Sequence, residues 1–247
     1  MKKAARPNKI VNVAGILPAD WLLAVDRTSP ILSLGLDVGT TVKKKSNPSV
    51  LSLGQKVGFE HRFPLIVRYK SKDPAVTIAI IEAILDGLAT LGLRVRRLCI
   101  DATSEKYFAI AVRKHFAGRL VVDLIVSSEA TEYAGERMLW KAYLGNLFVN
   151  TAEDGYLALP PEQWVKADIR SVTTEKGTFD AEVLEDGSHG DVFDGCKLAL
   201  HGQVAKGGPS EIAAVGVGVT AHRPRAGIKN PFARENRGGG RGFSRAR

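Results

Sequence analysis

Cysteine is nearly absent: two in 247 residues, Cys99 and Cys196, each among apolar neighbours and in no metal-ligand spacing. That excludes a disulfide-built scaffold and a cysteine zinc site, and leaves reduced core residues. Long hydrophobic runs are also missing. The most apolar stretch, 75–93, is interrupted by Glu82 and Asp86 at helical spacing, so no segment reads as a membrane span. The basic opening "MKKAARPNK" leads into no secretory hydrophobic region. No internal repeat is visible, and no linker is long enough to require two independent domains. The expectation is a soluble cytoplasmic protein without a membrane partner.

What is present is enough apolar residue, 45% of 247, to bury a core of one domain or a little more. The net charge of +9 is unevenly placed. Residues 223–247, "RPRAGIKNPFARENRGGGRGFSRAR", hold eight Lys/Arg and one Glu, which is seven of the nine net charges. Rich in Gly and Arg and without apolar periodicity, this end is expected to be flexible. Its arginines, Arg223, Arg225, Arg237 and Arg241 among them, suit phosphate contacts with nucleic acid. A merely solubilising end is the plainer alternative. The boundaries expected are an N-terminal extension over 1–29, a folded domain over 30–205 and a basic tail over 206–247.

Within the folded part, residues 31–38, 49–57 and 59–69 have strand composition and short connections, as an antiparallel meander does. The period then changes. Val76, Ile80, Ile84, Leu88 and Leu91 recur at helical spacing before Gly92, predicting a helix over 73–92. A strand over 94–101, a helix opened by Ser104 and a strand over 120–126 follow. The fold class expected is α/β: a mixed five-stranded sheet, three antiparallel strands and then parallel ones, flanked by helices. Beyond it the pattern predicts a helix over 132–150, an extended "GYLALP", a helix from Pro161 and two short strands around Gly177. The last helix, "SHGDVFDGCKLALHGQV", has Ser188 at its N-cap.

The acidic residues fall at telling places. "ILSLGLDVGTT" runs an apolar strand into Asp37, and "RLCIDATS" ends another strand on Asp101. A crossover through the 73–92 helix makes those strands parallel neighbours, with both carboxylates at the same edge. Asp191 and Asp194, three apart at the start of the last helix, project to one side of it. Carboxylates converging without a basic cluster repel one another, and hard divalent cations, Mg²⁺ or Mn²⁺, resolve the conflict. Each residue also has a plainer reading. Asp37 caps the turn at Gly39, Asp101 makes an Asx-turn, Asp191 pairs with Ser188 in a capping box, and His189 is a surface histidine. Lys43, Lys44 and Lys45, after the first strand, either guide a phosphate backbone or form a solvated loop.

The order of elements, with "LGLDVGTT", "LCIDATS" and "SHGDVFDGCKLAL" as acidic motifs, resembles the RNase H-like nuclease domain of the large terminase subunit of tailed phages, in particular its Mu-like branch. The likeness covers roughly residues 30–205. It implies a metal-dependent endonuclease cutting double-stranded DNA with two Mg²⁺ or Mn²⁺ ions. It further implies Asp37, Asp101 and Asp191 as catalytic metal ligands, with His189 in its usual place. Asp194 is a possible extra ligand outside the family pattern. Partners implied are a packaging ATPase domain, a small terminase subunit and a portal ring, at the procapsid in the host cytoplasm. The sequence contains no G-x-x-x-x-G-K-[ST] run, so it reads as the nuclease portion alone.

Other readings stay open. "GLDVGTT" is also similar to the first phosphate loop of actin-like ATPases and sugar kinases, although "AAVGVGVTAH" lacks the aspartate of a second loop. An RNase H-like resolvase or integrase, or a non-catalytic DNA-binding scaffold, fits the same acids less specifically.

Overall fold

A computed structural model describes residues 15–40, 47–133, 135–175, 178–184 and 189–206. Its central sheet is built from β1 (Leu32–Asp37), β2 (Ser49–Val57), β3 (Glu60–Tyr69), β4 (Val95–Asp101), β5 (Val121–Ile125) and the two-residue β8 (Leu157–Ala158). The order is β5-β4-β1-β2-β3-β8. β1 to β3 are antiparallel, while β4 runs parallel to β1 and β5 parallel to β4. This is the expected mixed arrangement, three antiparallel strands and then parallel ones, with one correction. "LALP" does not stay outside the sheet: β8 pairs parallel with β3, so the sheet has six strands and not five.

Strand alternation decides which residues face which helices. Leu32, Leu34 and Leu36 of β1 point into one core, shared with α1 (Pro74–Thr90) and α2 (Lys106–Phe116). Ser33 and Gly35 point the other way, onto α5 (Asp191–Val204), where Ser33 Oγ donates to Ala199 O at 2.6 Å. Both faces are covered, and β1 is buried along all but its last residue, with small Ser33 and Gly35 on the face that meets α5. Gly35 is needed there. A Cβ on it would stand 2.1 Å from Gly195 O and 2.3 Å from Ala199 N, inside the backbone of α5. On the α5 side, Phe148, Val165, Phe179 and Phe193 form a second core with Val50 and Phe63.

α1 begins as its sequence suggests, with Asp73 accepting from Ala75 N at 2.9 Å and Pro74 in the first turn, and it ends before Gly92 at φ 72°. α2 starts at Lys106 with Glu105 at its N-cap, two residues later than Ser104 suggested. The helix expected over 132–150 is shorter. Residues up to Leu139 form a hairpin, β6 (Ala130–Tyr133) and β7 (Glu136–Leu139), before α3 (Trp140–Glu153). Glu, Ala, Arg, Met and Leu favour helix there, but Gly135 at φ 85° turns the chain and Tyr133 packs on Tyr143 with ring centroids 5.0 Å apart. α4 (Gln163–Arg170) starts later than expected, with Glu162 as its N-cap and Pro161 before it, and the two expected short strands form a hairpin, β9 (Val172–Glu175) with β10 (Thr178–Ala181). Trp21 and Val25, before the first strand, lie in the first core. Among the described residues no helix is long and apolar enough to cross a membrane.

Candidate metal centre

Asp37 and Asp101 end neighbouring parallel strands, with Leu36 paired to Ile100 just before them. Both continue the side of the sheet that carries Gly35 and Cys99, so they emerge toward α5. That helix approaches closely at Gly35 and presents Asp191 and Asp194 in its first turn. An open cavity of about 580 Å³ results, lined by Asp37, Asp101 and Asp194 together with Glu105, His189 and Lys197.

The electrostatics follow from this convergence. Asp37 is half-buried: it opens onto the cavity and is packed round by protein elsewhere. Burial, and then the charges of Asp194, Asp191 and Asp101, hold its carboxyl well above the usual range, with Lys197 pulling the other way. Asp191 is 1% exposed and is not among the residues lining the cavity. Burial pushes its carboxyl up to about 6, against the pull of His189. His189 Nδ1 lies 3.1 Å from Asp191 Oδ1, near enough for an ion pair but off the hydrogen-bonding direction, while its backbone N–H donates to Asp191 Oδ2 at 3.3 Å. Nε2 of His189 meets Asn47 Nδ2 at 2.6 Å. Asp101 also keeps its plainer role, accepting from Thr103 N at 2.8 Å while lining the cavity.

The structure thus brings Asp37, Asp101, Asp191, Asp194 and His189 together. Asp194, the residue outside the family pattern, faces the cavity, and Asp191 is the buried one. The N-cap of α5 is Gly190 at φ 80°, not Ser188, which lies outside the described residues. Lys43, Lys44, Lys45, Arg223, Arg225, Arg237 and Arg241 also lie outside them.

Three residues were missed in the sequence. Asp168 of α4, 2% exposed, caps α5 from outside: its Oδ1 accepts from Val192 N at 2.9 Å and Phe193 N at 3.2 Å. Its Oδ2 is buried without a hydrogen-bond partner, and burial raises its carboxyl. Nothing in "KADIR" signals this, because the contact is tertiary. Glu105, which accepts from Thr40 Oγ1 at 2.5 Å, follows Asp101 by four residues and carries only that weak signal. Lys197 is ion-paired with Asp194 on the same helix, and the spacing of the pair was the available clue.

A second constellation lies where the last turn of the same helix meets β4 and β5. Among the described residues, the one set of three His, Cys, Asp or Glu side chains with ligand atoms all within 4.8 Å is Cys99, Asp123 and His201. No three of the four aspartates approach so closely, as befits like charges facing one another. The trio, however, is already balanced. Arg97 is ion-paired with Asp123, Tyr143 Oη lies 3.1 Å from His201 Nδ1, and burial pushes the Cys99 thiol up and His201 down to about 4. Hard oxygen donors with excess negative charge occur only at the aspartate cluster of these two, and it fits Mg²⁺ or Mn²⁺.

No protein-family model and no curated protein matches the chain. Among its structural neighbours are nuclease domains and large subunits of terminases. The large terminase nuclease from thermophilic phage G20c with bound magnesium is 18% identical, at a TM-score of 0.48 over 69% of this chain and 80% of that one. A human cytomegalovirus terminase nuclease domain, Mn-soaked and inhibitor-bound, is 12% identical, at 0.42 over 70% and 82%. The large terminase of another thermophilic bacteriophage, in complex with ATP-gamma-S, is 10% identical, at 0.49 over 72% of this chain and 41% of that one.

Proposed function

We propose that the chain is a divalent-metal-dependent endonuclease for double-stranded DNA, acting as the nuclease of a phage packaging terminase. The observation that carries this is the convergence of Asp37, Asp101, Asp191 and Asp194 at one end of the sheet against Lys197, the one buried ammonium among the described residues. Four carboxylates there leave an excess of negative charge that a divalent ion neutralises. The charges of Asp101, Asp194 and Asp191 all reach Asp37, and these four residues would hold the ions, two in the proposed mechanism. A divalent ion held there would supply a water of lowered pKa and charge neutralisation at a phosphodiester.

The chain's own residues supply the rest. The close packing of α5 on β1 holds the acids on the two elements at a set separation. His189 and Asn47 orient the buried Asp191. Lys141, which lines this cavity and an adjoining one of about 260 Å³, offers a cation to DNA phosphates. Lys43, Lys44, Lys45 and the arginines of the tail extend that role in the same proposal. The proposal also includes action beside an ATPase domain, a small subunit and a portal ring in the cytoplasm.

The phosphate-loop reading is disfavoured by a specific contact. Gly39 N–H donates to Ser49 Oγ at 3.0 Å, so this amide of the turn is already used and does not face a nucleotide. Supercoiled plasmid incubated with Mn²⁺ or Mg²⁺ should be cut by the wild type, and spared with EDTA or by Asp37→Asn and Asp194→Asn. Plasmid left intact by the wild type with either ion would sink the nuclease reading, and ATP turnover instead would revive the kinase-like one.

A further inference from the structure

Lys197 is the least expected residue at the centre. Its side chain is 6% exposed, and its ammonium is paired with Asp194 Oδ1 on the wall of the cavity that Asp37 and Asp101 share. The Phe193 ring lies 5.1 Å from Nζ, so the charge is held between an aromatic face and a carboxylate. Lysine is almost never buried without a partner, because desolvating its charge costs more than its stem gains. Here the partner is a metal-ligand candidate. The charge also reaches Asp37, where it opposes the repulsion from three other aspartates.

A cation seated on Asp194 competes with any other cation for the same oxygens. Resting on the metal-nuclease reading, we infer that Lys197 is a positioning residue that occupies Asp194 until a divalent ion displaces it. Before the ion arrives, the ammonium limits repulsion within the cluster. Once displaced, it remains on the cavity wall with three N–H donors free to meet an anion, and the anion that enters this cavity is the phosphodiester. Metal capture and phosphate contact are then linked through one side chain. The cost is weaker ion binding at Asp194 than the carboxylates alone would give.

The test measures Mn²⁺ binding to the full chain without DNA, by calorimetry and by the electron paramagnetic resonance signal of free Mn²⁺, for wild type, Lys197→Met and Lys197→Arg. Melting temperatures are taken in EDTA and at saturating Mn²⁺. Removing the competing charge should tighten Mn²⁺ binding about tenfold in Lys197→Met. The same variant should melt lower in EDTA and gain more from Mn²⁺ than the wild type does. Lys197→Arg, which keeps the charge, should bind as the wild type does. Unchanged or weaker Mn²⁺ binding in Lys197→Met, or an equal loss of melting temperature with and without the ion, overturns the inference and makes Lys197 a packing residue. A wild type that binds no Mn²⁺ overturns the nuclease reading as well. Competition for Mn²⁺ without any DNA cleavage upholds the inference and removes the nuclease reading alone.

Discussion

The first and last turns of α5 each bring metal-ligating side chains against the same face of the sheet. At the first turn, Asp191 and Asp194 meet Asp37 and Asp101 beside an open cavity, with negative charge in excess. At the last turn, His201 meets Cys99 and Asp123 with their ligand atoms closer together, but Arg97 already balances the charge. The proposed function places the cation where charge is unbalanced and open to solvent, not where ligand atoms lie closest together. One cluster carries repulsion that, under the proposed function, an ion would ease. The other is finished as it stands.

The largest effect should come from setting the two clusters against each other. Asp37→Asn is expected to lower plasmid cleavage by more than about 100-fold, beyond the 10–100-fold typical of residues that only support a metal ligand. Cys99→Ser should leave the rate within about twofold at temperatures where the variant stays folded. Comparable losses in both would erase the distinction. Next in size is the packing that serves both ends: Gly35→Ala drives a methyl into the backbone of α5 and should cost about 3 kcal/mol in urea unfolding. A cost near zero would mean that the helix yields easily.

A pH series separates the ends further. Asp191 binds its proton near pH 6 in the native state and near 3.8 when unfolded, so the native protein holds the extra proton between those values. Its contribution to stability is full below about pH 3.8 and is lost as pH rises through about 6. In EDTA, this contribution should make the wild type lose more melting temperature than Asp191→Asn between pH 5 and 7.5, and Mg²⁺ should shrink that loss. No difference between the two proteins, or one that Mg²⁺ leaves intact, would contradict the charge argument. The smallest effect is at the cap. Asp168→Ala should cost about 1 kcal/mol, since Val192 and Phe193 lose their acceptor, and Asp168→Asn should restore most of it. Equal losses in the two variants would show that the carboxylate charge matters beyond capping.

Much of this molecule could be read locally. The meander turns at Gly58 between β2 and β3, where its sequence says it should, and Asp73-Pro74 opens α1 as capping rules require. The parallel pairing of β1 with β4 followed from the crossover, and with it the side-by-side placement of Asp37 and Asp101. Long-range contacts were not readable. β8 is two residues long and joins the sheet only because β3 offers an open edge. Residues 130–139 prefer helix by composition and are held as a hairpin by packing of Tyr133 on α3. The capping of α5 by Asp168 spans more than twenty residues, and no local pattern announces it. The acids were legible at the site because strand ends and a helix start display them. Lys197 was not, since a lysine in an amphipathic helix is ordinarily a solvated one.

Gly35 leaves no side chain between β1 and α5 at the point where they touch. The gap between the strand that carries Asp37 and the helix that carries Asp194 is therefore gauged by main chain resting on main chain, a spacer that only a side chain introduced at the contact itself would thicken. Mutations can reshape the cavity walls and retune its charge. The span offered to whatever ion enters is set like the jaws of a caliper closed on a fixed stop.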